Sequence, residues 1–262
     1  MPKFSANLSM LFTEAPLLER FERAARAGFT AVELQFPYEL PAERIGEALS
    51  RSRLKLVLHN LPAGDWAAGE RGIACHQDRI EEFHRGVETA LAYALELRVP
   101  QLNCLAGIRP QGVSEAEARR ALIGNLRHAA GRLETHGLNL LLEPVNTRDI
   151  PGFFVSGTRQ ALDLIDEAGA GNLFLQYDAY HMQRMEGELA ATLSASLGRI
   201  GHIQIADNPG RHEPGTGEIN YPYLFAHLDR IGYRGWVGCE YLPADGTEAG
   251  LGWLEGWMDG PR

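Results

Sequence analysis

LNLLLEP, residues 138–144, is a short apolar run that closes on a carboxylate, Glu143. A run of this length bounded by Gly137 and Pro144 reads as a buried strand rather than a helix. Three later stretches repeat the design. LFLQYDAYH (173–181) reaches Asp178, IGHIQIAD (200–207) passes Gln204, and WVGCEY (236–241) reaches Glu240. The four oxygen-bearing residues are separated by 35, 26 and 36 positions, about the length of one strand–helix unit. Three carboxylates and an amide at equivalent ends of successive buried strands converge on one point. Such a point suits a hard divalent cation, because Mg²⁺, Mn²⁺ and Ca²⁺ take oxygen ligands. A lone strand-end glutamate is most simply a structural ion pair with arginine. Four such groups in step favour a metal centre, since unpaired buried charges are costly.

The same alternation extends along the chain. Strands are expected at Phe4–Ser9, Ala31–Leu34, Leu54–His59, Gln101–Leu105, Asn139–Glu143, Leu173–Asp178, His202–Ile205 and Trp236–Glu240. Helical patterns fall at Leu17–Ala27, Ala42–Ser50, Asp78–Leu97, Glu115–Thr135, Thr158–Glu167, Glu188–Ser196, Tyr221–Ile231 and Thr247–Trp257. Asp78 and Ser114 stand at N-cap positions, and Gly28 and Gly137 where helices should stop. Eight strands each followed by a helix specify an α/β fold of the (β/α)₈ barrel type, and 262 residues suit one such domain spanning 1–262. A doubly wound open sheet has similar periodicity, but no GxGxxG turn follows the first strand.

Composition narrows the function. A net charge of −9 with only two lysines, Lys3 and Lys55, argues against nucleic-acid binding. Cys75, Cys104 and Cys239 show no CxxC spacing and read as reduced thiols. The N-terminus lacks a signal-peptide pattern, and no run reaches the ~18 apolar residues of a membrane span. A cytoplasmic protein acting on a small molecule is expected, with no membrane partner; a homo-oligomer is compatible with the sequence.

Two long post-strand loops, Asn60–Gln77 and Asp207–Ile219, should lie on the C-terminal face, where barrel active sites form. The first carries Asp65, Trp66, Glu70 and Arg71, with glycines flanking the Glu70–Arg71 pair that would let it close over a ligand. His59 precedes that loop, and His181 follows Asp178 by three residues; either can line the pocket or serve as an ordinary buried or loop histidine. Asp149 can reach a substrate hydroxyl or cap a turn. Arg71, Arg148 and Arg211 all lie in post-strand loops, and at least one should supply charge for an anionic ligand. No GxSxG elbow, P-loop or HExxH is present. Glycoside hydrolysis by two glutamates leaves Asp178 and Gln204 without a role.

With these residues stand longer motifs: FSANLSMLF at 4–12, HNLPAGDWAAGERGIAC at 59–75, PGFFVSGTRQAL at 151–162, QYDAYHMQRMEGEL at 176–189 and HIQIADNPGRHEPGTGEINY at 202–221. In this order they resemble the hydroxypyruvate isomerase family of the xylose isomerase-like barrels; the 2-oxo-tetronate isomerases share many of them. The resemblance implies that Glu143, Asp178, Gln204 and Glu240 bind the metal and that Glu143 and Glu240 form the acid/base pair. It implies an isomerase for a small hydroxy-oxo acid, working by enediolate proton transfer. Related sugar epimerases imply substrate contacts at His181 and, less directly, at Asp149 and Arg211; His59 and Arg71 complete the expected set. The wider superfamily that the chain resembles often has histidine where this sequence has Gln204, so an all-oxygen donor set points to Mg²⁺ or Mn²⁺ rather than zinc.

Overall fold

The computed structural model describes residues 1–257. Its strands are β1 (Lys3–Asn7), β2 (Ala31–Leu34), β3 (Lys55–Asn60), β4 (Gln101–Cys104), β5 (Asn139–Leu142), β6 (Leu173–Asp178), β7 (Ile200–Ile205) and β8 (Trp236–Cys239). All neighbours pair in parallel, and β8 pairs with β1 to close an eight-stranded barrel. Around it run α1 (Leu17–Arg26), α2 (Ala42–Ser52), α3 (Ile80–Leu97), α4 (Glu115–Glu134), α5 (Thr158–Ala168), α6 (Ala179–Met185), α7 (Leu189–Ser196) and α8 (Tyr221–Ile231).

The outer helices are held by their apolar stripes. On α3, Phe83, Val87, Ala90, Leu91, Ala94 and Leu97 recur at helical spacing and are buried. Ser114 caps α4 as expected: its hydroxyl accepts the Glu117 N–H while the Glu117 carboxylate accepts the Ser114 N–H. Asp78 does not cap α3. It lies inside a 3₁₀ turn, Gln77–Arg79, that precedes the helix. The C-terminal helix is also different. Thr247–Trp257 yields only a 3₁₀ segment, Ala249–Leu254, because Gly250, Gly252 and Gly256 weaken a longer α-helix. Trp253 instead packs edge-to-face against Phe4 and Tyr241 and at a tilt against Phe225, closing the layer between strands and helices.

The apolar core lies in that outer layer, and much of the barrel interior is polar. Strand alternation puts i and i+2 on one face. Ser5 and Asn7, Gln101 and Asn103, Gln176 and Asp178, and His202 and Gln204 are such pairs, and all are buried. Barrels of this type usually fill their interior with branched aliphatics. Here it holds a hydrogen-bonded polar network instead. Two register shifts interrupt the ladder, one between Val32 and Glu33 on β2 and one between Leu175 and Gln176 on β6. Such irregularities re-aim side chains, and both fall beside this network.

Candidate metal centre and active site

Each of the four strand-end residues is buried at the C-terminal end of the barrel. Asp178 is the last residue of β6 and also caps α6: its Oδ1 accepts the N–H groups of Tyr180 (2.7 Å) and His181 (3.3 Å). Its Oδ2 is buried with no hydrogen-bond partner among the described residues. Glu143 and Glu240 follow immediately after β5 and β8. Glu143 Oε2 accepts from Asn103 (2.7 Å). Glu240 Oε1 accepts from Asn7 (3.1 Å) and Gln35 (3.0 Å), and Oε2 from Arg211 (2.8 Å). Gln204 Oε1 accepts from Gln176 (2.7 Å), while its Nε2 donates to Glu33 (2.8 Å).

Three carboxylates thus share one buried space with one guanidinium. Burial, then the charges of Glu240 and Asp178, push Glu143 well above the ordinary carboxylate range. Burial and Glu240 push Asp178 up to about 7. Glu240 is also raised, chiefly by burial, although Arg211 and Gln35 oppose the rise. Buried carboxylates this close raise one another's pKa, and a cation among them would relieve that repulsion. A carboxylate oxygen of Glu143, one of Asp178 and a ring nitrogen of His181 lie within 4.8 Å of one another. The unpartnered Asp178 oxygen and the surplus of negative charge fit a divalent metal.

His181 lies in this cluster, with Nε2 3.6 Å from Asp178 Oδ2 and 4.0 Å from Glu143 Oε1. Asn146 decides its tautomer. The Asn146 carbonyl oxygen accepts the N–H groups of Arg148 and Asp149, so its amide nitrogen faces His181 Nδ1 at 2.7 Å. An amide nitrogen only donates, so Nδ1 is the acceptor and the ring proton sits on Nε2. Burial, with Arg211 and Arg184 nearby, holds the imidazole well below its usual pKa and keeps it neutral.

The remaining expected contacts are placed less centrally, except one. Arg211 has a left-handed backbone (φ 56°), lies over the Tyr180 ring at 5.3 Å, and carries a buried Nε with no partner among the described residues. Asp149 is occupied by Arg184 (2.6 Å), Tyr180 (2.8 Å) and Asn146 (3.0 Å), so it braces the group that orients His181. His59 is fully buried one position before Asn60. Since Asn60 faces inward to Asn103, His59 faces the helical layer, where Tyr38 packs against its ring and bonds Nδ1. Burial lowers its pKa to about 4.

Arg71 donates to the carbonyls of Trp66 (3.0 Å) and Glu70 (2.7 Å) and stacks on the Trp66 ring at 4.2 Å. Glu70 itself pairs with Arg79. Gly72 has φ +113°, and a Cβ there would meet the Leu105 carbonyl and the Gly107 backbone, so only glycine fits at this position. Arg148 reaches the Arg184 carbonyl at 3.4 Å.

Several contributors escaped the sequence reading: Asn7, Glu33, Gln35, Asn103, Asn146 and Gln176. Their only sequence signal is a polar side chain inside or beside an apolar strand, as in AVELQF and QLNC.

The chain belongs to the xylose isomerase-like TIM barrel family, whose model matches residues 21–257. Within it, the chain is 56% identical to the hydroxypyruvate isomerase of Escherichia coli (strain K12), covering 97% of this chain and 99% of that protein. It is 47% identical to the 2-oxo-tetronate isomerase of Pectobacterium atrosepticum, with 99% of each covered. A crystal structure titled AP endonuclease, family 2 from Brucella melitensis superposes with a TM-score of 0.96 at 46% identity, covering 99% of this chain and 100% of that one. None of the described helices is long and apolar enough to cross a membrane.

Proposed function

We propose that this protein is a divalent-metal-dependent isomerase that interconverts hydroxypyruvate and tartronate semialdehyde (2-hydroxy-3-oxopropanoate). The observation that carries the reading is the buried cluster of Glu143, Asp178 and Glu240, with the half-buried Arg211 bonded to Glu240 and Asp178 Oδ2 without a hydrogen-bond partner among the described residues. The relatives named above act, by their names, on substrates of this kind. Glu143, Asp178, Gln204 and Glu240 would hold Mg²⁺ or Mn²⁺. When bound, the cation supplies a Lewis acid that acidifies the substrate C–H and stabilises the enediolate.

The chain's own groups then move the protons. One glutamate takes the hydrogen from the hydroxylated carbon C3, and the other returns a proton to C2. The hydroxyl proton passes from the oxygen on C3 to the oxygen on C2, which leaves an aldehyde at C3. Arg211 and two amides favour ionised Glu240, whereas Glu143 has a single amide donor. This sorts Glu240 as the base and Glu143 as the acid, by separation of their environments. His181, with its proton on Nε2, donates to the oxygen that gains charge. Arg211, through its unpartnered Nε, meets the substrate carboxylate. Asp149 supports His181 through Asn146. His59 and Arg71 shape the surrounding wall rather than the reacting centre.

The test is product analysis by NMR in D₂O with hydroxypyruvate and a four-carbon 2-oxo acid, each with Mn²⁺ or Mg²⁺. Tartronate semialdehyde with deuterium at C2 supports the reading. Turnover confined to the four-carbon acid favours a 2-oxo-tetronate isomerase, the reading the 47% relative suggests.

A further inference from the structure

Beneath the carboxylate cluster lies a fourth buried acid, Glu33, with no solvent exposure. It comes from β2, which supplies none of the four candidate ligands. Its Oε1 accepts from Gln204 Nε2 (2.8 Å) and Asn7 Nδ2 (3.1 Å); its Oε2 accepts from His202 Nε2 (2.8 Å) and Ser5 Oγ (3.1 Å). A fully satisfied carboxylate at the barrel centre thereby joins β1, β2 and β7. On β8 the chain makes room for it: a Cβ at Gly238 would collide with the Glu33 carboxylate. Both breaks in strand register fall beside this group, at Glu33 itself and at Gln176, whose side chain bonds Gln204.

These contacts bear on the two residues whose orientation matters most. An amide has one end that can ligate a cation and one that repels it, and the two ends have nearly the same shape. Only an acceptor can hold the Nε2 end of Gln204, and Glu33 is that acceptor. Asn7 divides one amide nitrogen between Glu33 Oε1 and Glu240 Oε1, tying the carboxylate of the candidate base to the same anchor. We propose that Glu33 is a positioning residue of the metal centre: it holds the Nε2 end of Gln204, leaving Oε1, which accepts from Gln176, as the end open to a cation, and it holds Glu240 in place through Asn7. This inference rests on the reading of Gln204 and Glu240 as metal ligands.

The experiment is Mn²⁺ titration of the chelator-treated full-length protein, followed by loss of the free-ion EPR signal, with circular dichroism to confirm folding. Glu33→Gln can donate toward Gln204 and so frees the amide to turn. It should weaken Mn²⁺ binding by roughly 10–100-fold, the usual cost of losing an outer hydrogen-bond partner of a metal ligand. Glu33→Asp keeps the charge but withdraws it from Gln204. It is the variant to read if Glu33→Gln does not fold, and its loss should be in the same direction. Ser5→Ala removes another partner of Glu33 without touching a ligand and should leave Mn²⁺ affinity unchanged. The paired change Glu33→Gln with Gln204→Glu restores a donor–acceptor couple and should recover most of the lost affinity. Normal Mn²⁺ affinity in a folded Glu33→Gln or Glu33→Asp protein overturns the proposal while leaving the metal site intact. An equal loss in Ser5→Ala overturns it too, because the effect would then be general loosening. Failure of the unaltered protein to bind Mn²⁺ would instead remove the metal site itself, and this proposal with it.

Discussion

Asn146 donates through Nδ2 to Nδ1 of His181 at 2.7 Å, and that contact makes His181 a donor at the carboxylate cluster rather than a bare nitrogen. Asn146→Asp should reverse it, since a carboxylate accepts from Nδ1–H and leaves Nε2 free to ligate. The expected outcome is tighter Zn²⁺ binding with kcat lowered by about 10²-fold or more, the usual scale for losing a positioned proton donor. Zn²⁺ titration beside steady-state kinetics checks it. Unchanged Zn²⁺ affinity and kcat would show that the tautomer has no bearing on the site.

Chelation should abolish turnover, and Mg²⁺ or Mn²⁺ should restore it. The buried Asp178 Oδ2, without a hydrogen-bond partner among the described residues, and the excess of carboxylates give the reason. Elemental analysis of an active preparation is the check, and full turnover in metal-free protein contradicts the prediction.

Glu143→Gln and Glu240→Gln should each lower kcat by roughly 10²–10⁴-fold, but they should differ in isotope exchange. If Glu240 is the base, Glu143→Gln still exchanges solvent deuterium into C3 of unreacted hydroxypyruvate, whereas Glu240→Gln does not. The opposite pattern, read by NMR, reverses the two roles.

Metal binding should stabilise the protein more at pH 8 than at pH 5. Asp178 is raised to about 7 by burial and by Glu240, and Glu143 and Glu240 are raised as well. A carboxyl whose folded pKa exceeds its unfolded value of about 4 contributes its stability fully below that value. The contribution is lost as pH rises through about 7. The metal-free protein therefore weakens over this window, and a bound cation offsets the loss while displacing protons. Thermal unfolding with and without Mn²⁺ across the range tests the sign; an increment independent of pH contradicts it.

Arg71→Ala should change stability rather than substrate affinity. The guanidinium stacks on Trp66 and bonds two carbonyls of its own loop. Loss of such a stack costs about 0.5–1 kcal/mol. A Michaelis constant for hydroxypyruvate raised by roughly one to two decades would instead place Arg71 on the substrate carboxylate.

Much of this molecule is local in origin. Apolar runs of strand length, alternating with amphipathic stretches, determine a (β/α)₈ barrel, because burial periodicity is a property of neighbouring residues. The positions of Glu143, Asp178, Gln204 and Glu240 at strand ends are legible for the same reason, as is the common face of His202 and Gln204. Sequence patterning had less hold at Asp78 and Thr247–Trp257, where 3₁₀ geometry replaces the expected cap and helix.

Tertiary structure alone decided which polar groups meet. Alternation says that a side chain points inward, but not which strand it faces. Glu33 and His202 are 169 positions apart, and Asn7 and Glu240 are 233 apart; barrel closure brings each pair together. The outward direction of His59, the tautomer of His181 and the confinement of Arg71 to its loop arise likewise from contacts between separate elements. Sequence determined the scaffold and the strand-end placement of its oxygen-bearing side chains, since those follow from composition and period. Three-dimensional closure determined their orientation, because hydrogen-bond partners are chosen by proximity in space.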